Sequence, residues 1–333
     1  MNAEFNALRN TILEDDRTKK DYTDIQLSDL VMRPDGRIVR KGSQQKTGLH
    51  LNDFAMAQAF NRVGIPVRYG KKMFEEQPSL IADHFNHWAS QDGNGVLLRT
   101  RGDVIRGFLS EKYTTLDNKD VIESLDEVLN GFDNTELVHS YIDDKRTNIR
   151  MTFPALTADF GKASNGASDI LKVGIDIDNS EVGASSLRVV PMVLRLVCTN
   201  GMRSWQRDGE AFSQRHIHLT SDELFGRMSD AISHAVQAGD GVIKSLNESR
   251  RMKVRSPFDA IKKLAEEATY SGDFMDKVQQ SYSIEPDPSL YGVVNAFTRA
   301  SQSLNNERRV EVEQFAGGLL DELKVVNRLK NFL

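Results

Sequence analysis

The residues best suited to binding an anion are the arginines of the segment VLLRTRGDVIRGFLS. A glycine–aspartate pair at 102–103 predicts a two-residue hairpin turn, which places Arg101 opposite Val104 and Arg99 opposite Arg106. Because the opposite strand face is apolar and would pack on the next helix, we expect the face with the three arginines to be the outer one. Arginines that face each other repel, and a phosphate backbone would relieve this repulsion. The predicted phosphate contacts are Arg99, Arg101, Arg106 and Lys112.

A second basic segment, RLVCTNGMRSWQR, could also bind phosphates through arginines on one strand face, and it contains an aromatic residue. A turn predicted at Asn200–Gly201 would bring Arg203, Trp205 and Arg207 onto one strand face. An indole can stack on a base, at about 1 to 3 kcal/mol per base, while the guanidinium groups hold the flanking phosphates. The sequence equally allows Trp205 to pack opposite Phe212 in the core, because a further turn signal lies between the two.

Both basic features, and a third, also have purely structural explanations. The hairpin arginines suit a solvated sheet face, or pairs with acids such as Asp103 and Glu111. The run NESRRMKVR at 247–255 lies near the end of a predicted helix. There the helix dipole favours positive charge even without a partner. These alternatives stay open on the sequence alone.

Two further pairs have the spacing of metal ligands. His216 and His218 lie on one side of a predicted strand, and so do Asp176 and Asp178, which are better explained as a solvated strand end. No third ligand can be assigned to either pair from the sequence. The chain also has no phosphate-binding glycine loop, dinucleotide fingerprint, serine elbow or paired cysteines. Cys198 lies in an apolar run, which favours an unreactive thiol. We therefore expect a non-catalytic protein with no metal and no cofactor.

The composition limits the classes of protein to which this chain can belong. The 333 residues include 43 Lys+Arg and 48 Asp+Glu, which gives a net charge of −5, and 39% of them are hydrophobic. A folded chain of one large or two modest domains is expected, and a protein that coats duplex DNA by charge alone is excluded. A single cysteine cannot form an intramolecular disulfide, and no apolar run matches a signal peptide or a membrane span. A cytoplasmic location without membrane contact is the expectation.

The elements that must position these residues fall into three predicted parts. Residues 1–48 are polar and are predicted to form an N-terminal arm with little order. Residues 49–220 are predicted to form a core with an antiparallel sheet, a capped helix at 52–64 and an amphipathic, acidic helix at 118–132. Residues 221–333 have helical periodicity. Because strands and helices are separated along the chain, the predicted class is α+β rather than a doubly wound parallel sheet.

Three segments together resemble the phage- and plasmid-borne family known as domain of unknown function 932. They are GVLLRTRGDVIRGFLSEKYTTLDNKDVIESL, PMVLRLVCTNGM and LYGVVNAFTRASQSLNNERRVEVEQFAGGLL. The resemblance implies a mobile genetic element and supplies no catalytic residues. The hairpin–helix–sheet order is also similar to the compact β-β-α units of phage single-strand annealing proteins. Together these similarities lead us to expect a homo-oligomer that binds single-stranded nucleic acid, with strand annealing in recombination as the implied activity.

The alternative is a protein-interaction or structural module that acts on a host or phage protein. Its docking surface would be the acidic helix at 118–132 or the C-terminal helices. A continuous basic groove would favour nucleic acid, whereas an exposed apolar patch would favour a protein partner.

Overall fold

The structure, a computed structural model, describes residues 3–42, 47–132, 134–162, 166, 168–196, 200–203, 212–214, 221–320, 329 and 332. The strands are β1 (Lys19–Gln26), β2 (Leu30–Met32), β3 (Ile38–Arg40), β4 (His50–Leu51), β5 (Gly95–Arg101), β6 (Val104–Ser110), β7 (Glu136–Ile142), β8 (Thr147–Lys162), β9 (Ser168–Asn179), β10 (Leu187–Arg195), β11 (Asn200–Arg203) and β12 (Phe212–Gln214). The helices are α1 (Ala3–Asp16), α2 (Asp53–Arg62), α3 (Val67–Glu76), α4 (Pro78–Ala89), α5 (Asn118–Leu129), α6 (Ser221–Arg251), α7 (Pro257–Glu267), α8 (Gly272–Ile284), α9 (Leu290–Ser301) and α10 (Asn306–Gly318).

These elements confirm the α+β class, with antiparallel sheets and a helical C-terminal region. The first sheet has the order β1-β5-β6-β4, in which only the short pair β4 and β6 is parallel. The larger sheet has the order β11-β10-β9-β8-β7 and is antiparallel throughout, with β12 also paired to β10. Three apolar cores follow from this arrangement. One lies between the first sheet and α2 to α4, and one between the larger sheet and α1, α5 and α6. The third lies among the C-terminal helices and includes residues of β8, β9 and β10.

The expectation of a polar N-terminal arm with little order is wrong for the described residues. Phe5, Leu8 and Ile12 recur at helical spacing in α1, and all three are buried in the core that α5 and α6 share. The following strand β1 is paired with β5 on both sides of an irregularity at Thr23 and Asp24. Three apolar residues in a polar stretch are enough to fix a helix when a partner surface covers them. The middle of the polar segment RKGSQQKTG, at 43–46, lies outside the described residues.

The predicted hairpin is confirmed at its turn and wrong in its register. Gly102 has φ +59°, and Arg101 lies opposite Val104 as predicted. Thr100 then lies opposite Ile105, but Arg99 lies opposite Gly107, so Arg106 is an extra residue on β6. Such a β-bulge bends its strand and redirects the side chain at that point. Arg99 and Arg106 are therefore not the directly opposed pair that the sequence predicts.

The second predicted turn is also displaced. Asn200 and Gly201 do not form a turn but are paired within β11, opposite Arg195 and Leu194. Among the described residues, no helix has the combination of length and hydropathy that a membrane span requires.

Candidate functional site

The arginine face of the hairpin is buried, which overturns the expectation that it is the outer face. Arg99 and Arg106 are 2% and 3% exposed. The guanidinium of Arg99 donates to carboxylates of Asp21 (3.0 Å) and Asp117 (2.5 Å) and to the carbonyl of Glu181 (2.8 Å). Arg106 donates to the carboxylate of Glu181 at 2.5 Å. The negative charge that these arginines need comes from the chain itself, so neither presents a free guanidinium to a phosphate.

Glu181 is the central acid of this buried cluster. Its carboxylate, on a side chain 3% exposed, accepts bonds from Nζ of Lys19 at 3.0 Å and from the backbone amide of Asn118 at 2.9 Å. The second bond satisfies an amide at the N-terminus of α5 that has no partner within the helix. Burial alone would raise the pKa of Glu181, but Arg106 and Lys19 outweigh burial and hold the pKa at about 2. The cluster therefore joins β1, β6 and α5 through one ionised side chain.

Arg101 and Lys112, the other residues predicted to contact phosphates on the hairpin, are not part of this buried cluster. Arg101 is partly exposed and pairs with Asp15 and Asp144 at 3.0 and 3.1 Å. Lys112 is exposed and has no ion pair with any of the described residues. Arg203 lies in β11, opposite Met192. Three further groups lie outside the described residues: Trp205 and Arg207, the histidines His216 and His218, and Cys198.

The aspartate pair in β9 has a structural role. Asp176 is fully buried, contrary to the expected solvated strand end, and pairs with Arg150 at 2.7 Å. Arg150 also bonds both carboxylate oxygens of Glu313 in α10, at 3.1 and 2.5 Å. Asp178 accepts a bond from Asn148 at 2.9 Å. Within the described part of the chain, no group of three or more His, Cys, Asp or Glu side chains could hold a metal ion.

A basic surface lies where α6 ends and α7 begins. We define the α6–α7 surface as Arg251, Lys253, Arg255 and Phe258, all of which are exposed. None of the three cations has an ion pair with a described residue. Five cations against one acid, Glu248, give the stretch 244–255 a net charge of +4. Most of this stretch is the run at 247–255, for which the sequence analysis offered the helix dipole as an explanation.

The backbone that carries these cations is fixed on the C-terminal helices. Val254 is buried, and its amide donates to the carbonyl of Pro288 at 3.1 Å. The carbonyl of Met252 accepts from the amide of Leu290 at 2.9 Å. Since Val254 faces the core, the neighbours Lys253 and Arg255 on either side of it face solvent.

The helix dipole does not explain the whole of this surface. Arg251 ends α6, where the dipole favours a cation, but Arg255 precedes α7, which begins at Pro257. The N-terminus of a helix carries partial positive charge and disfavours a cation beside it. No side chain caps α7 at Ser256. Arg255 therefore adds positive charge at the positive end of α7, and Asp259 in the first turn of α7 offsets part of it.

An aromatic ring and a groove of mixed polarity lie at the start of α7. Phe258 is 46% exposed, and its inner edge contacts the ring of Tyr282, with centroids 5.4 Å apart at 76°. The groove beside it has a volume of about 510 Å³. Its lining consists of Phe258, Asp276, Gln279, Gln280, Ser283 and Ile284. Amide and hydroxyl groups beside an exposed ring can bond the edge of a stacked base.

Comparison with known proteins identifies a family and nothing closer. Residues 106–316 match the family model described as Domain of unknown function (DUF932). No curated protein and no solved structure matches the sequence. The matched region includes most of β6, the larger sheet and all four residues of the α6–α7 surface. Because the match spans more than half of the 333 residues, this chain belongs to the family of domain of unknown function 932.

Proposed function

We propose that this protein binds single-stranded nucleic acid through the α6–α7 surface and catalyses no reaction there. The observation that carries the proposal is the set of three exposed cations, Arg251, Lys253 and Arg255, which have no ion pair with a described residue. The exposed ring of Phe258 follows three residues after the last of them. Buried arginines elsewhere in the chain are paired with carboxylates. Unpaired cations on a fixed backbone are the groups that phosphates bind most readily.

A single strand fits this surface better than a duplex. Lys253 and Arg255 flank one buried residue, so their positions along an extended backbone are about 7 Å apart. Arg255 and Phe258 are three residues apart, a separation of at most about 11 Å. A strand whose phosphates lie along the cations can therefore place a base on the ring, which a duplex with stacked bases cannot do. The total charge of −5 supports local contact rather than a coat on duplex DNA.

The biological setting that we propose comes from the family resemblance. A phage or plasmid protein that binds single strands in the cytoplasm, as a homo-oligomer, would serve strand annealing in recombination. The proposed binding residues differ from those predicted on the hairpin, because Arg99 and Arg106 already form ion pairs with carboxylates of the chain. Lys112 alone among the four hairpin positions is exposed with no ion pair to a described residue.

Phe258→Ala is expected to lower the affinity for an oligo(dT) strand about tenfold, because the loss of one base–aromatic stack costs about 1 to 3 kcal/mol. Fluorescence anisotropy at about 50 mM salt measures the effect. Tyr69→Ala is the matched control, since Tyr69 is an aromatic residue of similar exposure (44%) on α3, in another part of the fold. Equal affinities for the Phe258 variant and the unaltered protein would refute the stacking role.

One observation favours protein interaction as a second candidate function. On α4, Leu80 and Trp88 are 44% and 53% exposed, and the exposed His84 lies between them at the same four-residue spacing. Side chains at this spacing share one helix face. The acidic helix α5, by contrast, is a poor docking surface, because seven of its twelve residues are buried.

The simplest partner for the α4 face is a second copy of this chain. If the face mediates self-association, the double variant Leu80→Ser, Trp88→Ser reduces the mass of the assembly to that of the monomer in analytical ultracentrifugation. An unchanged assembly mass would exclude this face from self-association. Repeating the measurement with a short oligonucleotide shows whether nucleic acid, rather than the α4 face, drives assembly.

A further inference from the structure

A separate cavity of about 260 Å³ lies beside the end of α6. It is formed by the end of β8 (Lys162), the end of β10 (Arg195), α6 (Arg250), the loop after α8 and the first turns of α9 (Tyr291 and Asn295). The α6–α7 surface contributes none of its four residues to the lining. A ligand in this cavity would therefore make contacts distinct from those of a strand on that surface.

The inner wall of the cavity is a closed ion-pair network. Arg195 donates to both carboxylate oxygens of Asp169, at 2.6 and 2.9 Å, and to those of Glu285, at 2.9 and 2.6 Å. The hydroxyl of Tyr291 donates to Asp169 at 3.0 Å. Arg195 bridges the two carboxylates and offsets one of their charges, and Arg299, 3.8 Å from Glu285, offsets the other.

Arg250 supplies positive charge that this network does not neutralise. Its guanidinium carbon lies 5.7 Å from the ring centre of Phe160 and 5.4 Å from that of Tyr291, and its Nη1 donates to the carbonyl of Phe160. No carboxylate among the described residues forms an ion pair with it, unlike the buried arginines Arg99, Arg106, Arg150 and Arg195. The rings and the carbonyl hold the group in place and leave donors for a ligand.

Lys162 completes the set of donors at the rim. It is exposed, lines the cavity together with Arg250, and has no ion pair with any residue that the structure describes. Within the lining, three cations (Lys162, Arg195, Arg250) balance three acids (Asp169, Glu285, Asp287), and Arg299 beside Glu285 adds one positive charge just outside it. Two cationic donors of this kind, one planar and one flexible, suit the oxygens of a phosphate group.

We propose that this cavity binds a phosphomonoester, as the terminal phosphate of a nucleic-acid strand or as a free mononucleotide. A volume near 260 Å³ is at the small end of ligand pockets and accommodates a phosphate with its attached sugar rather than a run of nucleotides. The proposal is independent of strand binding at the α6–α7 surface, since the cavity has its own cations.

Isothermal titration calorimetry with four probes tests this assignment. The probes are dTMP and three forms of a dT hexamer: with a 5′-phosphate, with a 3′-phosphate and with hydroxyl ends. We expect one phosphorylated hexamer to bind about tenfold more tightly than the hydroxyl-ended hexamer if strand ends are the ligand. Binding of dTMP with no gain from either terminal phosphate would assign the site to free nucleotides.

Lys162→Ala is expected to remove most of the gain in affinity that the phosphate group gives. Lys162 is exposed, so the substitution leaves the fold intact, and Lys112→Ala is the control because Lys112 is also an exposed, unpaired lysine among the described residues. Two results would overturn the proposal: no phosphate effect with any probe, or an effect that survives both Lys162→Ala and Arg250→Gln. A hydroxyl-ended hexamer that fails to bind while dTMP binds would contradict only the function proposed for the α6–α7 surface.

Discussion

Glu181→Ala is expected to lower the free energy of unfolding by about 3 to 5 kcal/mol, the cost of removing one partner from a buried ion pair. The substitution leaves Arg106, which is 3% exposed, without its carboxylate. It also removes the acceptor of the Asn118 amide at the start of α5 and one of the two acids that Lys19 contacts. Urea denaturation followed by circular dichroism measures the change.

Glu123→Ala is the matched control for this experiment. Glu123 is exposed on α5, and its replacement is expected to change the stability by less than about 0.5 kcal/mol. A loss below about 1 kcal/mol for Glu181→Ala would show that the buried cluster does not hold the first sheet to α5.

The dependence of stability on pH provides a second measure of the contribution of Glu181. The pKa of Glu181 falls from an ordinary value of 4.5 to about 2, so the folded state favours its ionised form. Its contribution is complete above pH 4.5 and is lost as the pH falls towards 2. The difference corresponds to about 3 kcal/mol. We expect the unaltered protein to lose this stability in that range, and Glu181→Ala to lose less there.

The triple variant Arg251→Gln, Lys253→Gln, Arg255→Gln is expected to weaken binding of oligo(dT) about a hundredfold at about 50 mM salt. Each neutralised phosphate contact on a single strand contributes about 0.7 to the slope of log K against log salt, so the slope becomes shallower by about 2. Anisotropy titrations over a series of salt concentrations give both quantities.

A second triple variant separates this surface from the hairpin region. Arg17→Gln, Lys20→Gln, Lys112→Gln removes the same number of exposed charges near β1 and β6. We expect it to retain most of the affinity and the original slope. If it weakens binding as much as the first variant does, the strand does not bind specifically at the α6–α7 surface.

Local patterns account for the parts of the fold that could be predicted. The helix predicted at 52–64 begins as α2, with Asn52 accepting a bond from the amide of Ala55. The apolar spacing of α5 matches its buried face, and the hairpin turn forms at Gly102. In each case the signal lies within about four residues, because caps, turns and helix faces are short-range features.

The exposure predicted for the hairpin arginines is wrong because it depends on contacts between residues far apart in sequence. Arginines on one sheet face do require negative charge, but the acids that supply it lie far away in sequence: Asp21 is 78 residues from Arg99, and Glu181 is 75 residues from Arg106. The bulge at Arg106 carries no sequence signal that sets it apart from an ordinary strand position. Only the tertiary fold distinguishes a buried arginine with a carboxylate from an exposed one.

For the residues at 247–255 the sequence allowed a local explanation, the helix dipole, and did not show whether these cations have partners. The helix α6 ends at Arg251, so Lys253 and Arg255 lie outside its last turn, where the helix dipole would stabilise a cation. Their lack of ion pairs with described residues becomes apparent only when the neighbours from α8 and α9 are in place. Exposed charge without a partner is a tertiary property, as is the cavity around Arg250.

The most direct test is the dissociation constant of the unaltered protein for a hydroxyl-ended dT oligonucleotide, measured by anisotropy from about 50 to 300 mM salt. Binding through the α6–α7 surface predicts measurable affinity at the lowest salt concentration and a log–log slope of about −2 or steeper. It also predicts a weaker affinity for a duplex of the same length. Absence of binding at about 50 mM salt, or affinity that does not change with salt, would contradict the proposed function.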